Sequence, residues 1–418
     1  MQRCDGGAEI IFVLQISVAI ASDSNDSLWF VDLLEDKASS SSSSSSSQKE
    51  KGKLPTQNGT LLISGHSSTV RKALFSGGTS GDEYLVSCDE DGALALWDLH
   101  SSTVGHRLVQ FQVAGGTACL SLAMHPKVLI CASSYSDGII RIVDLENLTL
   151  KARIQACSEP ISAVAFLHEG NTIVAGTTSG KLMMIYWPRS EILLEKKMAG
   201  GISELALLPT DKSCQTFMAI QNEGKRISIW KGASLLRNID ILSLMEASQG
   251  DVVLELNDDS YKQEKISKNI LDEFKMRTNL PRIFAEFFPG KNTVIVICVP
   301  PEDWEGKSRI IFYDFAENLL LKMATVPGYV TSFAVSPTGN SLALGCLDQT
   351  LRYVNQIQIM AGDSSDLKEK RDLIPGVHPI AYHFDWVTDV DFSADGNFLF
   401  AVAFDKAKMI YDEYDMVL

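Results

Sequence analysis

Tyr84 to Leu99, YLVSCDEDGALALWDL, is the stretch whose reading decides the fold. It is a β-rich run, a tight turn at Asp89-Glu90-Asp91-Gly92, and a second β-rich run closing on Trp97-Asp98. Asp and Gly between two such runs form a strong hairpin signal, because they tolerate the backbone conformations a tight turn demands. Val128 to Leu145, VLICASSYSDGIIRIVDL, repeats the design, with Asp137-Gly138 on the turn and Val143-Asp144 at the strand end. The same strand-end dipeptide marks eight places: Val31-Asp32, Trp97-Asp98, Val143-Asp144, Ile185-Tyr186, Trp230-Lys231, Tyr313-Asp314, Val354-Asn355 and Tyr411-Asp412. Successive spacings are 66, 46, 42, 45, 83, 41 and 57 residues.

The three long spacings coincide with insertions, expected over 34–60, 233–279 and 356–384. The first holds the serine tract Ser39 to Ser47, whose composition predicts disorder. The second carries Ile266 to Met276, whose apolar spacing predicts a short helix. The third contains the charged run Asp363 to Asp372. Ahead of most hairpins stands a further strand, as in Ile161 to Phe166, Val330 to Pro337 and Val387 to Ser393. Each unit therefore holds at least three antiparallel strands with room for a fourth. Four-stranded units every ~40–45 residues describe the blades of a β-propeller, so the expectation is one all-β domain over 1–418. The eight units leave seven or eight blades open, because the first is cramped and the last reads as lacking its fourth strand.

On these motifs the chain resembles the WD40 repeat family, across nearly all of its length outside the insertions. The second unit carries the resemblance best, with Gly65-His66, Ser87 in the middle strand, Asp91 on the turn and Trp97-Asp98 at the strand end. The resemblance implies that His66, Ser87, Asp91 and Trp97 form a buried hydrogen-bonded tetrad locking the blade. It also implies that the residue before each turn Asp faces the binding surface, which selects Glu90, Ser136, Leu347 and Phe404. Asp137, Asp348 and Asp405 share the turn position of Asp91 without a Gly-His in matching register. Trp304, in the polar loop Pro300 to Gly306, is a further candidate anchor for a partner.

The remaining chemistry is sparse. Net charge is −15, which argues against a nucleic-acid surface, since that needs clustered Lys and Arg. The short basic clusters Lys49 to Lys53 and Lys368 to Arg371 are interspersed with Glu and lie in insertions. No two of the eight cysteines fall at C-x-x-C spacing, and several sit in apolar runs, where cysteine behaves as a small hydrophobe. That usage points to a reducing, intracellular setting, cytoplasmic or nuclear. The run Ile10 to Ala21 has the length of a signal sequence but no net positive charge before it, and it aligns with the later strands. No stretch approaches ~18 uninterrupted apolar residues, so no membrane span is expected.

His66 reads as the blade-locking residue rather than a metal ligand, and His378 and His383 with Asp385 as solvated loop residues. There is neither a nucleophile elbow nor a Walker-type loop. Catalytic residues, metal and cofactor are therefore all expected to be absent. The sequence predicts a non-enzymatic scaffold whose partners are proteins, basic or carrying short hydrophobic motifs. The rival reading is a propeller enzyme or nucleotide-exchange factor with a site in the central channel, which the strand-start positions do not support.

Overall fold

The structure, a computed structural model, describes residues 10–12, 18–22, 27–32, 60–64, 68, 70–75, 84–98, 106–111, 116–147, 149–167, 170–208, 215–221, 225–247, 254–255, 283–298, 307–327, 329–339, 341–355, 378–382, 386–392, 398–403 and 408–412. Within these the chain forms eight antiparallel meanders, numbered here as sheets in chain order. Eight units, rather than seven, are thus built.

Two compact units emerge. One comprises Gly65–Glu255 and Thr278–Thr325; the other comprises Met1–Ser64, Leu256–Arg277 and Val326–Leu418. The first unit contains sheets 2 to 6. Sheet 2 runs Val70–Phe75, Tyr84–Asp89, Leu94–Asp98, His106–Phe111; sheet 3 runs Cys119–Met124, Ile130–Tyr135, Ile139–Asp144, Thr149–Gln155. Sheet 4 runs Ile161–Leu167, Thr172–Thr177, Lys181–Tyr186, Glu191–Lys197; sheet 5 runs Glu204–Leu207, Thr216–Gln221, Arg226–Lys231, Ser234–Asp240. Sheet 6 runs Ile283–Phe287, Thr293–Cys298, Lys307–Asp314, Leu319–Pro327, and gains a fifth strand when Leu254–Glu255 pairs in parallel with Ala324–Thr325.

Burial falls from the inner strands outward. Every residue of Ile139–Asp144 is buried, whereas five of the seven residues in Thr149–Gln155 are exposed. Middle strands are covered on both faces, so they read as nearly continuous apolar runs instead of alternating ones. Successive sheets pack through their buried side chains: Ile140, Ile142 and Ile154 of sheet 3 share a cluster with Val164, Phe166, Ile173 and Ile185 of sheet 4. Sheet 5 joins sheet 6 the same way through Met218, Ile229, Val294 and Ile311, with Ile241 and Met245 of the helix Ile241–Ala247 closing the cluster.

The second unit holds three sheets. Sheet 1 runs Ile10–Phe12, Val18–Ser22, Ser27–Asp32, Thr60–Ser64. Sheet 7 runs Val330–Val335, Ser341–Cys346, Thr350–Asn355, His378–Tyr382, and sheet 8 runs Val387–Phe392, Phe398–Ala403, Lys408–Asp412. Ala343 and Leu351 pack on Val390, Phe392 and Leu399. The first strand of sheet 1 lies beside Val387–Phe392. From the two ends of the run Ile10 to Ala21, Ile10–Phe12 and Val18–Ser22 pair as antiparallel strands, Ile10 opposite Ala21.

Insertion boundaries differ from those read in the sequence. Ser234–Asp240 and His378–Tyr382 are outer strands, so the second and third insertions are shorter. Ser234–Asp240 is exposed at four of its seven positions and mixes Ser, Arg, Asn and Asp with its apolar residues, which is why it resembles loop sequence. The helix expected at Ile266 to Met276 lies outside the described residues, as do Ser39 to Ser47.

Candidate interaction surface

The hairpin turns between second and third strands hold the residues expected to face a partner, and in sheets 3 and 7 a carboxylate organises them. In sheet 3, Asp137 Oδ1 accepts the Ile139 amide at 3.1 Å and Oδ2 accepts Arg141 Nη2 at 3.1 Å. The Arg141 guanidinium lies 4.2 Å from the Tyr135 ring centroid. Sheet 7 repeats the arrangement. Asp348 Oδ1 accepts the Thr350 amide at 3.2 Å, and Oδ2 accepts Arg352 Nη2 at 2.7 Å, while Arg352 Nε donates to Thr350 Oγ1 at 2.9 Å. An arginine four residues on thus supplies the cation for the turn carboxylate in these two units. The sequence carries this pairing as Asp-x-x-x-Arg, at 137–141 and 348–352, a spacing independent of any Gly-His.

Sheet 2 closes its turn differently, and its Asp91 is not the buried carboxylate that the resemblance implies. Asp91 is exposed, whereas Asp89 is fully buried and its Oδ1 accepts the Ala93 amide at 2.7 Å. The carboxylate closing this turn therefore comes from the strand end. Position 95, where Arg141 and Arg352 have their counterpart, is Ala95, so a carboxylate on Asp91 has no cation four residues on. Sheet 4 closes likewise from its strand end, Thr177 Oγ1 accepting the Lys181 amide at 2.8 Å. Of the other tetrad members, Ser87 is fully buried and the Trp97 backbone pairs with Leu85 and Arg107. His66 lies outside the described residues.

Among the residues expected to face a partner, Glu90 is partly exposed and pairs with Arg71 at 2.5 Å. Ser136 is partly exposed, its Oγ accepting the Ala118 amide at 3.1 Å. Leu347 is only 2% exposed and its amide donates to Tyr329 O, so it belongs to the core and not to the surface. An apolar side chain at that position gains more from burial than from display. Phe404 and Trp304 fall outside the described residues.

The turn glycines bring neighbouring sheets together. Gly138 has φ +75°, and a Cβ there would stand 2.2 Å from Cys157 O in the chain leading to sheet 4. Gly92 stands in the same relation to Thr117 O, at 2.1 Å. The strand-end aspartates cap the outer turns: Asp144 accepts the amides of Glu146 and Asn147 and pairs with Lys151 at 2.8 Å. Burial pushes its carboxyl up, but Lys151 and Asn147 outweigh that and hold it at about 2.

Among the described residues, no group of three or more His, Cys, Asp and Glu stands ready to hold a metal ion. Cys88, Cys119, Cys131 and Cys346 are buried free thiols, and burial pushes Cys346 up to about 12. A thiol raised that far stays protonated and unreactive near neutral pH. No helix among the described residues is long and apolar enough to cross a membrane.

Comparison with known proteins identifies the family to which this architecture belongs. A family model described as "WDR90, 4th beta-propeller" matches residues 69–411. WD repeat-containing protein 90 of Mus musculus is 24% identical over 332 residues, covering 75% of this chain and 16% of that protein. The Homo sapiens protein of the same name is 24% identical over 312 residues, covering 71% of this chain and 16% of its own length. This chain therefore corresponds to a small part of those relatives. Among solved structures, the C-terminal WD40 domain of Sif2 superposes with a TM-score of 0.62 at 13% identity, covering 97% of this chain and 96% of that one. The computationally designed Ika8 protein gives 0.59 at 16% identity, covering 98% and 97%. Sequence repeats, sheet meanders and these likenesses agree on a WD40 β-propeller, and the chain belongs to the WDR90 fourth-β-propeller family.

Proposed function

We propose that this chain is a non-enzymatic protein-interaction scaffold that engages partners through the turns between second and third strands. The observation that supports this is the surface left once the structural residues are set aside. On the compact unit spanning sheets 2 to 6, these turns present the exposed Asp91, the partly exposed Glu90 and Ser136, and Asp137. Glu159 stands beside them, accepting a hydrogen bond from Ser179 Oγ. The turns are short and tied down by capping carboxylates and by glycine contacts to the next sheet. Rigid loops lose little entropy on docking, which favours binding. Their acidic character selects a basic partner segment, in keeping with the net charge of −15. The place of action in this reading is the cytoplasm or nucleus, and phosphate backbones are poor partners for such a surface.

The test is affinity purification of the wild-type protein beside a Glu90→Lys/Asp91→Lys variant with an unchanged thermal melt. Selective loss of a reproducible set of basic partners is the expected result. An identical partner set from both proteins overturns the assignment to this face.

A further inference from the structure

The outer strands carry a feature that folding does not explain. In sheet 4, Met184 pairs with Leu194 and Ile185 with Ile192, leaving Leu193 as an extra residue in a β-bulge. Sheet 5 repeats this, with Leu236 extra between Leu235 and Arg237. Both members of each aliphatic couple face water: Ile192 is 42% exposed, Leu193 53%, Leu235 41% and Leu236 36%. Edge strands are normally defended by bulges, lysines and short length. Apart from that bulge, Glu191–Lys197 is defended only by charge at its end, Glu195-Lys196-Lys197, and six of its seven residues are exposed. The equivalent strand in sheet 5 is partly covered, because Arg237 Nη2 reaches across to Ala316 O of sheet 6 at 2.8 Å.

The chain itself shows what such an edge accepts. In sheet 6, Leu254–Glu255 lies parallel to the outer strand at Ala324–Thr325. The sequence around that added strand is aliphatic and acidic, Asp251-Val252-Val253-Leu254-Glu255-Leu256-Asn257-Asp258-Asp259. The geometry points to the outer edge of Glu191–Lys197 as a strand-addition site for an extended, aliphatic and acidic peptide of a partner protein. Backbone groups along the edge supply the ladder, and Ile192 with Leu193 supply apolar contact. Charge selects the occupant. Glu195 is neutralised by Lys181 at 2.9 Å, so Arg189, Lys196 and Lys197 outweigh Glu191 around the strand. A second copy of this chain, at −15, is repelled as a whole. The site lies on an outer strand, apart from the turn face, so its failure leaves the scaffold reading standing.

The experiment titrates the full chain into a fluorescently labelled DVVLELNDD peptide, followed by anisotropy and by amide hydrogen exchange. Saturable binding is expected, at least tenfold weaker for Leu193→Asp and weaker as salt rises, with new amide protection within Glu191–Lys197. Leu193 is exposed, so the variant should keep the wild-type melting temperature; Leu193→Lys serves in its place if it does not. Absence of binding overturns the site. So does binding indifferent to both variants, or protection at Ala324–Thr325 alone, which means the peptide only displaces its own copy. Protection of Glu191–Lys197 that grows with protein concentration and without peptide assigns the edge to self-association and also overturns it.

Discussion

Arg352 reaches Asp348 at 2.7 Å with its side chain wholly shielded from water and that of Asp348 only 7% exposed, whereas the matching pair Arg141 and Asp137 is 10% and 24% exposed. The same Asp-x-x-x-Arg geometry thus exists at two depths. Shielding raises both the attraction and the penalty for orphaning a partner.

Asp348→Ala should therefore cost about 3–5 kcal/mol, because it strands a buried guanidinium. Asp137→Ala, whose arginine retains some water, should cost about 1–2 kcal/mol. Adding Arg352→Met to Asp348→Ala should recover part of the loss, since no unpaired charge remains. Urea denaturation of the variants measures this, and equal losses at the two sites would mean depth is irrelevant.

Asp89 and Asp91 separate the two ways of closing a turn. Asp89→Ala leaves the buried Ala93 amide without its 2.7 Å acceptor and should lower stability by about 1–3 kcal/mol. Asp91→Ala removes an exposed side chain and should stay within about 0.5 kcal/mol of wild type. Reversal of that order in thermal or chemical melts would restore Asp91 to the tetrad.

The repeat architecture was legible because spacing and hairpin chemistry survive even where individual residues drift. Asp-Gly at 91–92 and 137–138, and the strand-end dipeptides, located the hairpins correctly. What the sequence concealed lies at the two extremes of burial. Outer strands such as Ser234–Asp240 are exposed on most positions and carry polar residues, so they read as insertion. Leu347, adjacent to a turn carboxylate, reads as a surface residue although it packs inside. Choosing between Asp89 and Asp91 required knowing which carboxylate turns inward, and two acids two residues apart carry no such sign. The bulge in the outer strands is likewise a matter of register, visible only once the strands are paired.

Turn conformation offers a third test. Gln349 adopts φ 69° at the position that Gly92 and Gly138 occupy in their own turns. A non-glycine residue there costs about 1–2 kcal/mol in backbone strain. Gln349→Gly should raise stability, by less than that figure because glycine also gains freedom in the unfolded chain. Gly138→Ala should do the opposite, and more strongly. Its Cβ meets Cys157 O at 2.2 Å as well as an unfavourable φ, so a loss of about 3 kcal/mol or more is expected. A rise of melting temperature in the first variant and a fall in the second is the outcome sought.

Asp391 sets the pH dependence of the last sheet. It stands on the strand Val387–Phe392, where the matching positions in other sheets are Ala165 and Ala334, and its carboxyl accepts only the Phe392 amide at 2.8 Å among the bonds resolved for it. Loss of water around the carboxyl pushes it up to about 7, the single amide bond opposing this only weakly. The native state then holds a proton that the unfolded chain, titrating near 3.8, has already released. Stability is greatest below the unfolded value and falls as pH rises from about 4 to 7, levelling above that window. Because Asp391 is only partly buried, the residual water trims the full effect to about 1–3 kcal/mol. Asp391→Asn carries no titrating proton there, so its stability should be flat across the window and exceed wild type at pH 8. Urea titrations of both proteins at pH 4.5, 6 and 8 check the sign. A wild type that gains stability relative to the variant on going from pH 4.5 to 8 would show that the carboxyl is hydrated and ionised in the fold.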